Sequence, residues 1–258
     1  MNNTIKFSSF VFILVAIAFV VFANGCKKEK ATTKIETGTM TDIDGNTYKT
    51  VKIGNKWWMA ENLKVSRYSN GDTIKLPQIG QMFDTAFWNN SDSGAYCVIE
   101  NIDANSQNYK GCKYGYLYNW FAVEDTRNLA PDGWHIPSDS EWKELELFLG
   151  MNASELDKLN WRGAKEGDKL KEQIGWSESY DKYVVWGTNE SGFNAKGGGA
   201  CMFNGVWSIP STTKIGFWWS SSLNGNEAYY RGLDYNKSSV FRYYGPKNYG
   251  FSIRCIKD

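Results

Sequence analysis

Hydrophobic and polar positions divide the chain into three stretches of different character. The first is an apolar run over residues 7–22, interrupted only by Ser8 and Ser9 and preceded by Lys6 and the amino terminus. Ala23-Asn24-Gly25 then lead to Cys26, and charge follows at once in Lys27-Lys28-Glu29-Lys30. A positive stub, a short apolar stretch and a small or polar exit have the form of an export signal rather than of a spanning helix. The second stretch, residues 27–38, is polar and aperiodic, the composition of a flexible tether. The third carries the periodicities of a fold and is expected to begin near Met40, giving a signal over 1–25, a tether over 26–39 and one domain over 40–258.

Within the third stretch, period-two alternation dominates. Thr41 to Tyr48 reads as a strand turning at Asp44-Gly45-Asn46, Tyr48 to Ile53 as its return, and Gly54-Asn55 as a second tight turn into Lys56-Trp57-Trp58-Met59. A helix is announced by Pro137-Ser138-Asp139-Ser140-Glu141, where Ser138 and Glu141 have capping-box spacing. Trp142, Leu145, Phe148 and Leu149 then fall on its inner face, with Lys143, Glu144 and Glu146 outside and Gly150 as its stop. A second short helix is expected from Ala153 to about Trp161. Beyond Gly192 the chain turns glycine-rich and strand-like, with segments at 217–220, 228–235, 240–244 and 251–256, the last three reading as an antiparallel meander.

Composition changes this picture in two ways. Aromatics are abundant, with 12 Trp, 15 Tyr and 14 Phe in 258 residues, as suits many short strands packed by large rings. Charge is balanced: without residues 1–25 the chain keeps 28 basic and 28 acidic side chains, which argues against nucleic acid as a partner, because phosphate binding needs a basic surplus. Export also places the cysteines in an oxidising compartment. Ala23-Asn24-Gly25-Cys26 resembles a lipoprotein signal, which implies cleavage before Cys26 and acylation of that residue. Cys97 and Cys112 flank a polar loop whose cross-linking would contribute about 3 kcal/mol. Pairing them leaves Cys201 with Cys255, although four cysteines allow three connectivities.

Several phrases occur together and in order: Asp42-Ile43-Asp44-Gly45-Asn46, Val51-Lys52-Ile53-Gly54, Trp58-Met59-Ala60-Glu61-Asn62-Leu63, Tyr114-Gly115-Tyr116-Leu117-Tyr118-Asn119-Trp120, and residues 133–142 (Gly-Trp-His-Ile-Pro-Ser-Asp-Ser-Glu-Trp). Asn189-Glu190-Ser191-Gly192-Phe193, Trp218-Trp219-Ser220-Ser221 and residues 249–255 (Tyr-Gly-Phe-Ser-Ile-Arg-Cys) complete the set. From about residue 40 to 258 the chain resembles the Fibrobacter succinogenes major paralogous domain. The resemblance implies a secreted or lipid-anchored domain of α+β class in a compact, C-type-lectin-like form, with short antiparallel strands and one or two helices. It implies no established activity. Members often carry a cysteine where this chain has Ala130, which puts the usual partner of Cys255 in doubt.

Candidate chemistry is sparse. His135 is the only histidine, so a histidine-rich zinc site is excluded and a thiol enzyme lacks its partner group. Acid pairs such as Glu61 with Asp139 or Asp234 have the residue types for glycosidic cleavage, yet no spacing favours any pair. Asp42-Ile43-Asp44-Gly45-Asn46 alternates oxygen side chains like a calcium loop but lacks the closing glutamate and reads as a hairpin turn. The best pointer is aromatic: Trp218, Trp219, Tyr229, Tyr230, Tyr235, Tyr243 and Tyr244, interleaved with Arg231, Arg242, Asn236 and Asn248, have the make-up of a stacking platform, since adjacent rings on a strand face opposite ways and exposed rings mark interaction sites. The expectation is a non-catalytic, lipid-anchored envelope module, without metal or cofactor, whose partners are the membrane and either carbohydrate or an envelope protein. Its place is the cell envelope, at the outer membrane. The competing readings are a polysaccharide-acting enzyme and a purely structural envelope protein.

Overall fold

The alternation at the start of the folded stretch is realised as two consecutive hairpins. β1 (Thr37–Thr41) pairs antiparallel with β2 (Thr47–Ile53), and β2 with β3 (Lys56–Met59). Glycine makes the first turn possible: Gly45 has φ +81° and its amide donates to the carbonyl of Asp42 at 3.0 Å. The computed structural model describes residues 35–79, 82–83, 85–98, 114–176, 187–202 and 214–258, which belong to one compact unit, Ile35–Asp258. The leader, Cys26 and Cys112 lie outside the described residues.

The hairpins continue into a five-stranded sheet of order β1-β2-β3-β14-β8, with β14 at Ile256–Lys257 and β8 at Trp134–His135. A four-stranded sheet has order β10-β11-β12-β9, from Ile215–Asn224, Glu227–Asp234, Val240–Pro246 and Asn160–Arg162. A third has order β13-β7-β6, from Gly250–Phe251, Tyr116–Asn119 and Tyr96–Val98; β4 (Gln78–Ile79) and β5 (Met82–Phe83) pair separately. The helices are short: α1 (Thr85–Asn90), α2 (Trp120–Val123), α3 (Asp139–Phe148) and α4 (Glu166–Leu170). None is long and apolar enough to cross a membrane.

The α+β, C-type-lectin-like expectation is therefore corrected. The fold is β-rich and built from antiparallel sheets, because most periodic segments have period two and only α3 has room for an amphipathic face. Its capping box forms as expected, the Ser138 hydroxyl accepting from the Glu141 amide. The second expected helix shrinks to a 3-10 turn, Ala153–Glu155. Asn160 then takes φ +66° and sends the chain into β9. The expected meander also shifts: it is β10, β11 and β12 in sequence, while β13 leaves to pair with β7 and β14 to pair with β3 and β8.

These departures knit the sheets together, and Asn62 is where they meet. Its Oδ1 accepts from Trp218 Nε1 (2.9 Å) and Arg254 Nε (2.8 Å), and its Nδ2 donates to the Tyr114 carbonyl (2.7 Å) and Ser252 Oγ (3.2 Å). Gly115, at φ +78°, lets the chain pass: a Cβ there would lie 2.6 Å from Asn62 Cβ. Arg254 is fully buried, donates further to the carbonyls of Met59, Phe193 and Asn194, and covers the Phe193 ring. Burial pushes its pKa down to about 9. Removing one acceptor from a buried cation costs more than an ordinary hydrogen bond. Asn62→Ala is expected to lower unfolding stability by about 3 kcal/mol, read from urea denaturation midpoints.

The disulfide expectation is corrected as well. No disulfide forms among the described residues, and Cys97, Cys201 and Cys255 are all buried. Cys201 packs with Trp88, Ala95, Cys97 and Leu117, whereas Cys255 belongs to a different cluster with Met59 and Ala130, so the Cys201–Cys255 pair is kept apart by the packing of two cores. These cysteines act as small apolar fillers. The Cys97–Cys112 pairing involves a residue outside the described set.

Candidate functional site

The residues singled out as a stacking platform divide sharply. Trp218, Trp219, Tyr230, Arg231 and Arg242 are buried; of the rings, only Tyr229, Tyr235, Tyr243 and Tyr244 retain a part-exposed side. Both faces of the β10-β11-β12 sheet are covered, which is what alternation along a strand cannot reveal. On one face Trp219 packs on Phe251 and Tyr230, and Phe217 on Tyr230. On the other, Trp218 joins Phe193, while Trp58, Trp142 and Phe193 pack on one another.

The two arginines belong to an ionic cluster under α3. Asp139 accepts from Arg231 Nη1 (2.8 Å), Arg242 Nε (2.9 Å) and Arg242 Nη2 (2.8 Å), and pairs with Lys143 at 2.9 Å. Glu146, expected on the outer face of the helix, is fully buried and takes Arg231 Nε and Arg162 Nη2, each at 2.7 Å. Burial alone would raise the pKa of Asp139, but Arg242, Arg231 and Lys143 hold it well below the usual carboxylate range. These carboxylates are saturated with cationic donors, a structural use of acids that sequence spacing left open. Taking one partner from such a buried set strands the others. Arg231→Ala is expected to destabilise the domain by about 3 to 5 kcal/mol in thermal or denaturant unfolding.

What the strands do expose is an aromatic row that keeps Tyr229, Tyr243 and Tyr244 of the expected platform and adds Trp161 and Phe241. Trp161 of β9 lies against Phe241 of β12 (centroids 5.1 Å), Phe241 against Tyr243 (5.9 Å), Tyr243 against Tyr244 (4.8 Å), and Tyr244 against Tyr229 of β11 (5.8 Å). All five are part-exposed. Pairing produces the row, since Phe241 stands opposite Trp161 and Tyr244 opposite Tyr229. Arg242 Cζ sits 4.4 Å over Tyr229, and Lys237 Nζ 5.8 Å over Trp161. Trp161 and Phe241 were missed in the sequence because Trp161 fell at the end of an expected helix. Asn160 was the available signal, as asparagine tolerates positive φ and favours a break just before the tryptophan.

Two other surface features lie apart from this row. An apolar cavity of about 470 Å³ opens between α3 and the β2–β3 turn, lined by Ile53, Lys56, Trp58, Leu145, Leu147 and Phe148 among others. Leu147 and Phe148 are 50% and 63% exposed. The Asp42 turn is a closed hydrogen-bonded loop: Asp42 Oδ1 accepts from the amides of Asp44 and Asn46, and Oδ2 from Asn46 Nδ2 and the Tyr48 hydroxyl. Among the described residues, no group of three His, Cys, Asp or Glu side chains could hold a metal ion.

His135 is held between two carboxylates, with Nδ1 at 2.6 Å from Asp258 Oδ1 and Nε2 at 2.9 Å from Glu141 Oε1. Partial burial alone would lower its pKa, but the bonds to Asp258 and Glu141 prevail and leave it raised. It thus ties the C-terminal residue to the start of α3. A raised imidazole contributes stability in full below its unfolded pKa of about 6.5 and loses it as pH rises through the folded value. At this exposure the contribution is below about 1 kcal/mol. The thermal midpoint is expected to fall between pH 6 and 8 more steeply in the native chain than in His135→Gln, as scanning calorimetry across a pH series would read.

The family profile described as the Fibrobacter succinogenes major domain matches residues 51–257. The chain belongs to this family. The match spans nearly all of the described unit, from the middle of β2 through β14, so the buried hub and the aromatic row both fall inside the family domain. No curated protein and no solved structure matches the chain.

Proposed function

We propose that this domain is a non-catalytic binding module of the cell envelope, held at the outer membrane by a lipid on Cys26, that takes carbohydrate across the aromatic row. The carrying observation is the row itself: five part-exposed rings in mutual contact, from Trp161 through Phe241, Tyr243 and Tyr244 to Tyr229, with a cation over a ring at each end. In an otherwise well-covered aromatic core, rings left at the surface offer apolar contact to the C–H faces of sugars, with phenolic hydroxyls beside them. Membership in the family accords with a surface protein. The non-catalytic reading draws on the acids: Asp139 and Glu146 are enclosed by arginines, and Asp42 is committed to its own turn.

A second reading, an envelope-protein ligand, draws on the apolar cavity beside Leu147 and Phe148. The two differ in the residues they need. In a glycan-array screen of the chain from residue 27 onward, the carbohydrate reading expects a specific signal that weakens about tenfold in Trp161→Ala and in Tyr244→Ala, corresponding to one lost aromatic contact. Phe148→Ser would leave that signal unchanged. A folded domain silent on the array, or one indifferent to both ring variants, would overturn the carbohydrate reading.

A further inference from the structure

Strand β1 lies at the rim of the five-stranded sheet and is paired on one side only, with β2. The phase of that pairing decides which groups face outward. Lys52 donates its amide to the Glu36 carbonyl, and Asp42 donates to the Asn46 carbonyl, both at 3.0 Å. In an antiparallel ladder the bonded positions alternate, so residues 36, 38, 40 and 42 bond to β2, while Thr37, Thr39 and Thr41 turn their N–H and C=O groups to the open side. Among the described residues, no backbone group answers them there.

Exposed edges in soluble proteins are normally blunted by lysine, proline or a bulge. β1 has none of these. Its sequence is Thr-Gly-Thr-Met-Thr and its register with β2 runs unbroken from Thr37 to Thr41. The neighbouring charge, Glu36, is occupied by Lys52 at 3.1 Å. Threonine is a strong strand former and pairs well with threonine across strands.

The pattern is also self-complementary. Positions 35, 37, 39, 41 and 43 are all exposed, whereas 40 and 42 are buried. They read Ile-Thr-Thr-Thr-Ile, a sequence symmetric about Thr39. Ile35 and Ile43, at 42% and 43% exposure, are two of the few large apolar side chains left in solvent. An antiparallel copy centred on Thr39 sets Thr37 against Thr41 and Ile35 against Ile43 on the exposed face. On the other face Glu36 comes opposite Asp42, and each carboxylate is already held within its own chain, by Lys52 and by the Asp42 turn.

We propose that β1 is a self-association edge, and that a second copy of this chain adds its own β1 antiparallel, with Thr39 on the twofold axis. The outward groups of Thr39 then exchange both hydrogen bonds with Thr39 of the second copy, as do those of Thr37 with Thr41. A closed, isologous dimer results and the two open edges disappear together. The aromatic row is carried by the other large sheet, so this inference stands or falls apart from the carbohydrate reading.

Sedimentation velocity over a concentration series tests it, on the chain from residue 27 onward, which retains the whole compact unit Ile35–Asp258. Thr39→Pro removes the outward amide without touching a bond to β2, a place where an edge strand accepts proline. Thr39→Lys sets two like charges across the axis. The expected result is a reversible dimer whose dissociation constant rises about thirtyfold in Thr39→Pro, for two lost hydrogen bonds, and also rises in Thr39→Lys. Far-UV circular dichroism and thermal midpoints should stay near those of the native chain in Thr39→Lys. Amide exchange at Thr37, Thr39 and Thr41 should slow with concentration in the native chain alone. A native chain monomeric throughout, or a dimer that Thr39→Lys leaves unchanged, would overturn the proposal.

Discussion

Charge buried beneath α3 is the constraint from which much of this structure follows. Asp139 and Glu146 enter the interior from one helix, Arg231 and Arg242 from adjacent strands and Arg162 from β9, and each is acceptable there only because the others are present. Asp139 at the start of α3 also meets the positive end of the helix. The cluster therefore fixes how α3 lies across the β11-β12-β9 strands and which face of each strand is inner.

Once those faces are fixed, period two places Trp161, Phe241 and Tyr243 on the outer face, while Tyr229 and Tyr244 share the face of Arg231 and Arg242, so the row turns around the edge of β12. Arg162 turned inward leaves Trp161 on the opposite face, and Arg242 turned inward leaves Phe241 there beside it. β9 reaches only as far as Arg242, so beyond it β12 has a free side on which the rings of Tyr243 and Tyr244 stack. A surface row of rings is thus a by-product of an interior ionic cluster. The family's sequence-conspicuous tryptophans, Trp218 and Trp219, are by contrast committed to the two cores that flank β10.

Asn62 and Arg254 perform the corresponding task for the C-terminal segment. By satisfying Trp218, the Tyr114 carbonyl, Ser252 and three further carbonyls, they let β13 and β14 depart from the four-stranded sheet without leaving buried polar groups unmet. With sheets joined in this way, the buried cysteines contribute packing rather than cross-links among the described residues. Among the described residues the outer side of β1 stays unpaired, where local sequence offers strand formers and no protection.

The sequence by itself determined the local elements: the hairpins around Gly45 and Gly54, the Ser138–Glu141 cap and inner residues Trp142 and Leu145 of α3, and membership in the family, because turn glycines, caps and short phrases act over a few residues. It did not determine that helices would be minor, since the break at Asn160 depends on β12 being there to receive Trp161. Nor did it determine which of two adjacent aromatics would be exposed, because alternation separates the faces of a strand without saying what covers each. Arg231, Arg242 and Glu146 looked like surface residues for the same reason. A charge is placed inside only when partners distant in sequence converge on it, and that convergence, like the burial of Trp218 and Trp219, is a decision of the tertiary structure.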